Sequence, residues 1–440
     1  MIWPPPPLIG IALVSILLAL AVGLAALLRR LGTIDGEFAR KSVHIQLGII
    51  IAAFPWLFDE RWPVWVLAGC AVAALAALRW VPSLRSLLGG SLHDVERASW
   101  GEFCFPIAAA LSWSVVPGDW MRFSLPILVL AVADAVAALI GSTYGRLHYG
   151  SANARKSWEG SVAFAFTAFL VVHIPLLLGT PIGRAESLLI AVNVALMLML
   201  VEALAWEGFD NLFIPVAGML LIDRLHGMPL GQLGDSTLMM TGLAIGSWWW
   251  RRRTTLDDAS VLCCAVFGFV LWDLGGWPWL VPPALVFVLY TTLSPPRDGR
   301  REHHVTVPLT IVLPSLVWLL VASRFPGDVR WIIGATTTYT VHLAAIGLFV
   351  AAHRQPLRSW FVLLMQSWIV AMLAVLLPTA LLLGSPPWSH LALAAGGTFV
   401  GTALIWIAIP DRRNLPISER RWWWQAIAAL AGSTVVLLAP

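Results

Sequence analysis

Apolar runs of about 17 to 25 residues recur from one end of this chain to the other, each long enough to cross a bilayer as a helix. Lipid offers the peptide backbone no hydrogen-bond partner, so such runs must satisfy their own N–H and C=O groups internally. The composition agrees: 59% of the 440 residues are hydrophobic and 12% are charged, which excludes a water-soluble globular domain. The expected fold is all-α, a polytopic integral membrane helical bundle of about 14–16 transmembrane helices.

Spans are expected at about 8–28, 43–57, 63–79, 103–116, 123–141, 160–178 and 187–205. A short segment at about 211–222, read as re-entrant or strongly tilted, is followed by one at about 237–250. Further spans are expected at about 259–273, 277–293, 307–323, 331–352, 359–384, 389–409 and 422–438. The best domain boundary is the loop opened by Arg251, Arg252 and Arg253, dividing the chain into residues 1–250 and 251–440. The N-terminal Met-Ile-Trp-Pro-Pro-Pro-Pro carries no positive charge and does not read as a cleaved signal peptide. Four cysteines, Cys70, Cys104, Cys263 and Cys264, lie in or beside apolar runs and read as small buried hydrophobes.

Excess Lys and Arg mark the cytoplasmic side of a membrane protein. With the N-terminus outside, loops 29–42, 79–102 and 142–159 face inward and hold Arg29, Arg30, Arg40, Lys41, Arg79, Arg85, Arg97, Arg146, Arg155 and Lys156. The opposing loops hold Arg61, Arg122 and Arg184. In the second half Arg297, Arg300, Arg301, Arg354, Arg358, Arg412, Arg413, Arg420 and Arg421 continue the inward bias. The expected location is a bacterial inner membrane with the polar site facing the cytoplasm. The net charge of +4 is unremarkable, and no nucleic-acid partner is expected.

Of the 28 basic residues, two are lysines, Lys41 and Lys156, and both sit in the tetrapeptide Ala-Arg-Lys-Ser. Where any cation would do, this chain uses arginine. A retained lysine therefore points to a need for a compact, mobile ammonium, as in point-charge phosphate binding.

Ionisable residues inside spans are costly and mark function by default. In the first half these are His44, Glu102, Asp134, Glu159, His173 and Glu202. Five lie within about two turns of the inward face, and His173 lies towards the other. Asp134 is the deepest, about 10 Å below its helix end at 1.5 Å per residue, and reads as a Mg²⁺ ligand or a base. Arg40 and His44, one turn apart, are expected on one helix face. Glu102 reads equally as a dipole-favoured first-turn carboxylate.

The stretch from Asp134 to Gly160 concentrates the polar signals. Gly141 and Gly145 have the spacing of a close helix crossing. Arg155, Lys156 and Ser157 then precede a helix whose free N–H groups favour an anion, with Glu159 as cap or cation ligand and Gly160 beside it. Glu202, Asp210 and Asn211 add hard oxygen ligands. No Walker-type loop, kinase HRD or DFG set, or Cys/His zinc spacing is present.

The pattern DAVAALIGSTYG…KSWEGSVAF, preceded by RKSVH and followed by Glu202 and DNLFIP, resembles the phytol kinase and dolichol kinase family over about residues 35–222. These are integral membrane kinases of isoprenoid alcohols, related more distantly to phosphatidate cytidylyltransferases. The resemblance implies phosphoryl transfer from a nucleoside triphosphate, usually CTP, with Mg²⁺, to the hydroxyl of a membrane lipid alcohol. It maps the family's positions onto Arg40, Lys41, His44, Asp134, Gly141, Gly145, Lys156, Glu159, Gly160, Glu202, Asp210 and Asn211. The tract between Tyr144 and Lys156 lacks a second lysine seen in some members, which leaves the donor open between CTP and ATP. A cytidylyltransferase would use the same donor but expel pyrophosphate. A lipid transporter or flippase would carry polar groups through the whole membrane depth.

Residues 254–293 faintly resemble the opening of membrane proteins linked to phytyl-phosphate kinase activity, but the polar motifs expected downstream are missing. The second half therefore reads as a scaffold, lateral substrate gate or partner surface, with His342 its one ionisable residue near a midplane. The tryptophans at 248–250 and 422–424 read as interfacial belts.

Overall fold

The computed structural model describes residues 4–31, 36–81, 100–151, 154–205, 207–293, 303–409 and 419–440. Arg85, Arg97, Arg297, Arg300, Arg301, Arg412 and Arg413 lie outside the described residues, as do the side chains of Arg29, Arg30 and Arg155. The expected spans are helical, with 43–57 broken after Ala52 and 422–438 closing in a 3₁₀ turn over Thr434–Leu438, so the fold is the all-α polytopic membrane bundle. Among the described residues ten helices are long and apolar enough to cross a membrane, and two shorter apolar helices accompany them. The chain divides into two units, residues 1–241 and 242–440.

The first unit contains α1 (Pro7–Arg30), α2 (Gly36–Ala52), α3 (Trp62–Trp80), α4 (Gly101–Val115) and α5 (Trp120–Tyr144). A small hairpin follows, β1 (His148–Ser151) and β2 (Ala154–Ser157), and then α6 (Trp158–Gly179), α7 (Arg184–Leu204) and α8 (Asp210–Leu225). The division between units falls inside α9 (Leu230–Trp250). The segment read as re-entrant is the 16-residue α8, which packs on α4, α5 and α7.

α5 is the axis of this unit, packed by α2, α6 and α8. It is not a regular helix. Pro126 removes one backbone donor, and residues Val129–Ala133 then form a π turn immediately before Asp134. π turns widen a helix and leave carbonyls free to take side-chain partners. Three neighbours approach α5 through glycines. A Cβ on Gly48 of α2 would fall 2.2 Å from the Ala131 Cβ, and one on Gly218 of α8 would fall 2.8 Å from the Pro126 Cβ. The third, Gly160 of α6, would place a Cβ 2.9 Å from the Ala137 carbonyl oxygen. Close approach at glycines of this kind gains dispersion energy without ordering long side chains.

This packing gives a direct prediction. Gly48→Val overpacks the α2–α5 contact by an amount typical of core insertions, about 1–3 kcal/mol or more. It lowers the melting temperature of the detergent-solubilised protein. Gly231→Ala, where an added Cβ meets nothing within 4 Å, leaves it unchanged or slightly raised. Equal melting temperatures for the two variants would contradict the packing argument.

The second unit comprises the rest of α9 with α10 (Asp258–Gly275), α11 (Trp277–Leu293), α12 (Thr306–Arg324), α13 (Val329–Arg354), α14 (Trp360–Leu382), α15 (Trp388–Ala408) and α16 (Glu419–Ser433). α13 is its centre, buried along almost its whole length and packed by α11, α12, α14, α15 and α16. Its buried threonines return their hydroxyls to their own helix: Thr336 to the Ile332 carbonyl, Thr337 to Ile333 and Thr340 to Thr336, at 2.7–2.8 Å. The stripe is thus polar in composition yet internally satisfied. His342, fully buried, meets the Gln425 amide at 3.0 Å. The expected belts separate. Trp248 and Trp249 are exposed and carry the guanidinium groups of Arg251 and Arg253 over their rings, at 3.4 and 3.9 Å from the centroids. Trp422 instead is buried in the core with Leu256, Val261, Val307 and Ile346.

Candidate active site

Two buried ion pairs define the site, and each uses one of the two lysines. On α2, Lys41 extends its ammonium to Asp134 of α5, Nζ to Oδ2 2.6 Å. Lys41 is only 6% exposed, so its charge depends on that carboxylate for compensation. One turn further along α2, His44 brings Nε2 to 3.9 Å from the same Oδ2. The His44 ring packs on Phe105, with centroids 5.3 Å apart. Its Nε2 is buried with no hydrogen-bond partner.

The second pair hangs from the hairpin. Its register sets Tyr149 opposite Lys156, and cross-strand partners project to the same face of a ribbon. Tyr149 is buried, its hydroxyl 2.5 Å from the Ser161 Oγ of α6. Lys156, on that face, donates to Glu202 Oε1 at 2.6 Å and to the Glu202 backbone carbonyl. Glu202 lies in the last turn of α7, where the helix dipole is negative. One ammonium therefore neutralises both a buried carboxylate and a helix C-terminus.

Asp210, first residue of α8, completes the group. It accepts the Asn211 N–H at 3.1 Å and lies within electrostatic reach of Asp134, Lys156, Lys41 and Glu202. Three carboxylates thus face two lysines. The surplus negative charge, on hard oxygen donors from α5, α7 and α8, matches a divalent cation delivered with phosphate oxygens as its other ligands. Among the described residues no three His, Cys, Asp or Glu side chains converge tightly enough to hold a metal unaided.

The remaining expected residues have other tasks. Ser157 caps α6, its Oγ accepting the Gly160 N–H at 3.1 Å, so Glu159 is not the cap. The Trp158 N–H goes to the Leu147 carbonyl. The first N–H groups of α6 are therefore partly occupied, contrary to the expectation of an open anion site there. Glu159 turns back to the Leu147 N–H at 3.3 Å. Gly141, Gly145 and Gly160 form a crossing of α5 on α6: a Cβ at Gly145 would sit 2.3 Å from the Gly141 carbonyl oxygen and 2.8 Å from the Ser157 Cβ. Arg40 is exposed, whereas Lys41 and His44 turn inward. The i, i+3 spacing, not the i, i+4 pair, carries the inward face of α2. Glu102 is exposed, and His173 pairs with Ser187 at 3.0 Å away from this group. Tyr149 was not singled out from sequence. Its signal was an aromatic residue alone in a polar tract.

Fold and site together define an integral membrane protein that gathers lysines, carboxylates and a histidine between helices at one end of its first unit. No family model and no solved structure matches the chain. A curated phytol kinase of Synechocystis sp. is 33% identical over 223 residues, covering 49% of this chain and 91% of that protein. The chain belongs to the phytol kinase family.

Proposed function

We propose that the first unit transfers the terminal phosphoryl group of a nucleoside triphosphate, CTP first and ATP second, to the hydroxyl of a membrane isoprenoid alcohol at the cytoplasmic face. The observation that carries this reading is the convergence of Lys41, His44, Asp134, Lys156, Glu202 and Asp210 in a chain of the phytol kinase family. A substrate whose tail cannot leave the bilayer requires an enzyme embedded there, with its polar site near the interface.

Two lysines held against carboxylates are poised for exchange. A triphosphate carries more charge than a single carboxylate, so its oxygens draw Lys41 and Lys156 towards themselves and release Asp134 and Glu202. The ammoniums then neutralise charge on the transferring group in a loose transition state. Asp134 and Asp210 are the residues suited to hold Mg²⁺, which when bound supplies further neutralisation of the phosphates. The lipid hydroxyl gives its proton to His44 Nε2 or to the freed Asp134 carboxylate as its oxygen attacks the terminal phosphorus. A new O–P bond forms, the bond from phosphorus to the bridging oxygen breaks, and the nucleoside diphosphate leaves.

Membranes containing the protein, offered phytol, geranylgeraniol, farnesol and dolichol with each of four γ-labelled nucleotides, are expected to yield a labelled lipid monophosphate, fastest with CTP. Label retained in lipid from the α-phosphate instead would mark a cytidylyltransferase and overturn the reading.

A further inference from the structure

A second site of different character lies wholly in the second unit. A cavity of about 260 Å³ opens among α9, α10, α11 and α12 and is lined almost entirely by apolar side chains. Along α10 its lining runs from Val261 to Leu271, about 15 Å at 1.5 Å per residue. That is the shape of a slot for one chain rather than a round core void.

Besides Leu243, Ser247 and Trp250, the α9 wall carries Gly242 and Gly246, one turn apart. A Cβ on either would meet nothing within 4 Å. The contrast with Gly141 and Gly145, whose spacing is the same, is decisive: those two are pressed against another helix, while these two face empty space. Glycine weakens a helix, and here no packing partner uses the room it leaves. Across from them Ala265 adds a small side chain, while the place of a Cβ on Gly268 is already covered by Leu243 and Leu280 at 3.5–3.6 Å. A slot with stretches free of side chains accommodates methyl branches, whereas a straight chain would leave gaps that forfeit dispersion contacts.

The slot has one polar end. The ring of Tyr290 lines it, and the Tyr290 hydroxyl lies 3.0 Å from Thr255 Oγ1. Close by in the chain, Asp257 accepts from Ser260 at 2.7 Å and pairs with His304 at 2.9 Å. Trp250, at the same end, precedes Arg251, Arg252 and Arg253. An apolar channel ending in paired hydroxyls suits an amphiphile with one tail and a small hydrogen-bonding head.

We infer that this cavity is a second lipid site, binding a single-chain isoprenoid alcohol with its hydroxyl at the Tyr290–Thr255 pair. The choice of lipid class rests on the reading of the first unit as an isoprenoid-alcohol kinase. The full-length protein in nanodiscs is to be irradiated with a diazirine-bearing geranylgeraniol, and the labelled peptides mapped by mass spectrometry. Label is expected on α10, α11 and α12, displaced by excess geranylgeraniol but not by a straight-chain alcohol of equal length. Gly246→Phe, which projects into open space, reduces that label about tenfold or more while label near α2 and α5 persists; Gly242→Leu serves if the first variant does not fold. Wild-type protein unlabelled on α10–α12, or equal displacement by the straight-chain alcohol, overturns the inference. Kinase turnover is measured on the same sample. Absent turnover with the expected label defeats the kinase reading and leaves the second site standing, whereas normal turnover with no label there does the reverse.

Discussion

Lys156→Met is expected to lower kcat/KM for phosphoryl transfer by roughly 10²–10³-fold, and removing the charge of Glu202 at the same time is not expected to bring it back. The comparison separates two roles that one variant confounds. Lys156 neutralises Glu202 at 2.6 Å, and that carboxylate is only 8% exposed. Deleting the ammonium alone leaves a buried, uncompensated charge, a change that costs about 3–5 kcal/mol when one partner of such a pair is lost. Some of the loss in the single variant will therefore be lost protein. In Lys156→Met/Glu202→Gln both charges go, and near-isosteric neutral pairs in such positions are often tolerated. The double variant is expected to recover abundance and melting temperature but not turnover. Wild-type turnover in the double variant would reduce Lys156 to a counter-ion and remove it from the mechanism.

Asp134→Asn is the second large effect, with an expected fall of roughly 10²–10⁴-fold in kcat. The amide oxygen can still accept from Lys41, so the variant keeps a hydrogen bond at the place where an alanine would leave the ammonium stranded. The buried Lys41 ammonium nevertheless loses its compensating charge, so abundance is expected to fall as for Lys156→Met, and the kinetic loss is read per folded molecule. The same variant divides Asp134's two proposed tasks. If the carboxylate holds Mg²⁺, the Mg²⁺ concentration for half-maximal rate rises. If it takes the proton, kcat falls at saturating Mg²⁺, and His44→Gln produces a comparable loss. Turnover of Asp134→Asn within a few-fold of wild type would exclude both.

Much of this site was legible in the sequence, because the membrane makes charge expensive. Asp134 and Glu202 stood out as carboxylates in apolar runs, and Lys41 and Lys156 as the two lysines among 28 basic residues. What the sequence does not carry is the pairing. Lys41 and Asp134 are 93 positions apart, and Lys156 and Glu202 are 46 apart; no local rule joins them. Helical spacing put Arg40 and His44 on one face, but with Gly48 seated on Ala131 it is Lys41 and His44 that turn inward while Arg40 is exposed. The π turn was hidden because Val129–Ala133 is an unbroken apolar run with no local mark of the change in winding. The hairpin was missed because four-residue strands with a polar composition lack a detectable period. In the second unit the spans were evident but the slot beside Gly242 and Gly246 was not, since the same spacing elsewhere makes a tight crossing.

The glycine contacts around α5 also bear on how such a chain can drift. Where helices meet through side chains, one hydrophobe can replace another at modest cost. Where a neighbour's atoms occupy the place of a missing Cβ, as at Gly48, Gly160 and Gly218, no substitute is smaller. Lipid-facing positions are therefore free to exchange Leu, Ile, Val and Phe over long divergence, while the smallness of those three residues should persist. Among distant relatives, the alignment that finds this site would be anchored by absent side chains as much as by the charged ones.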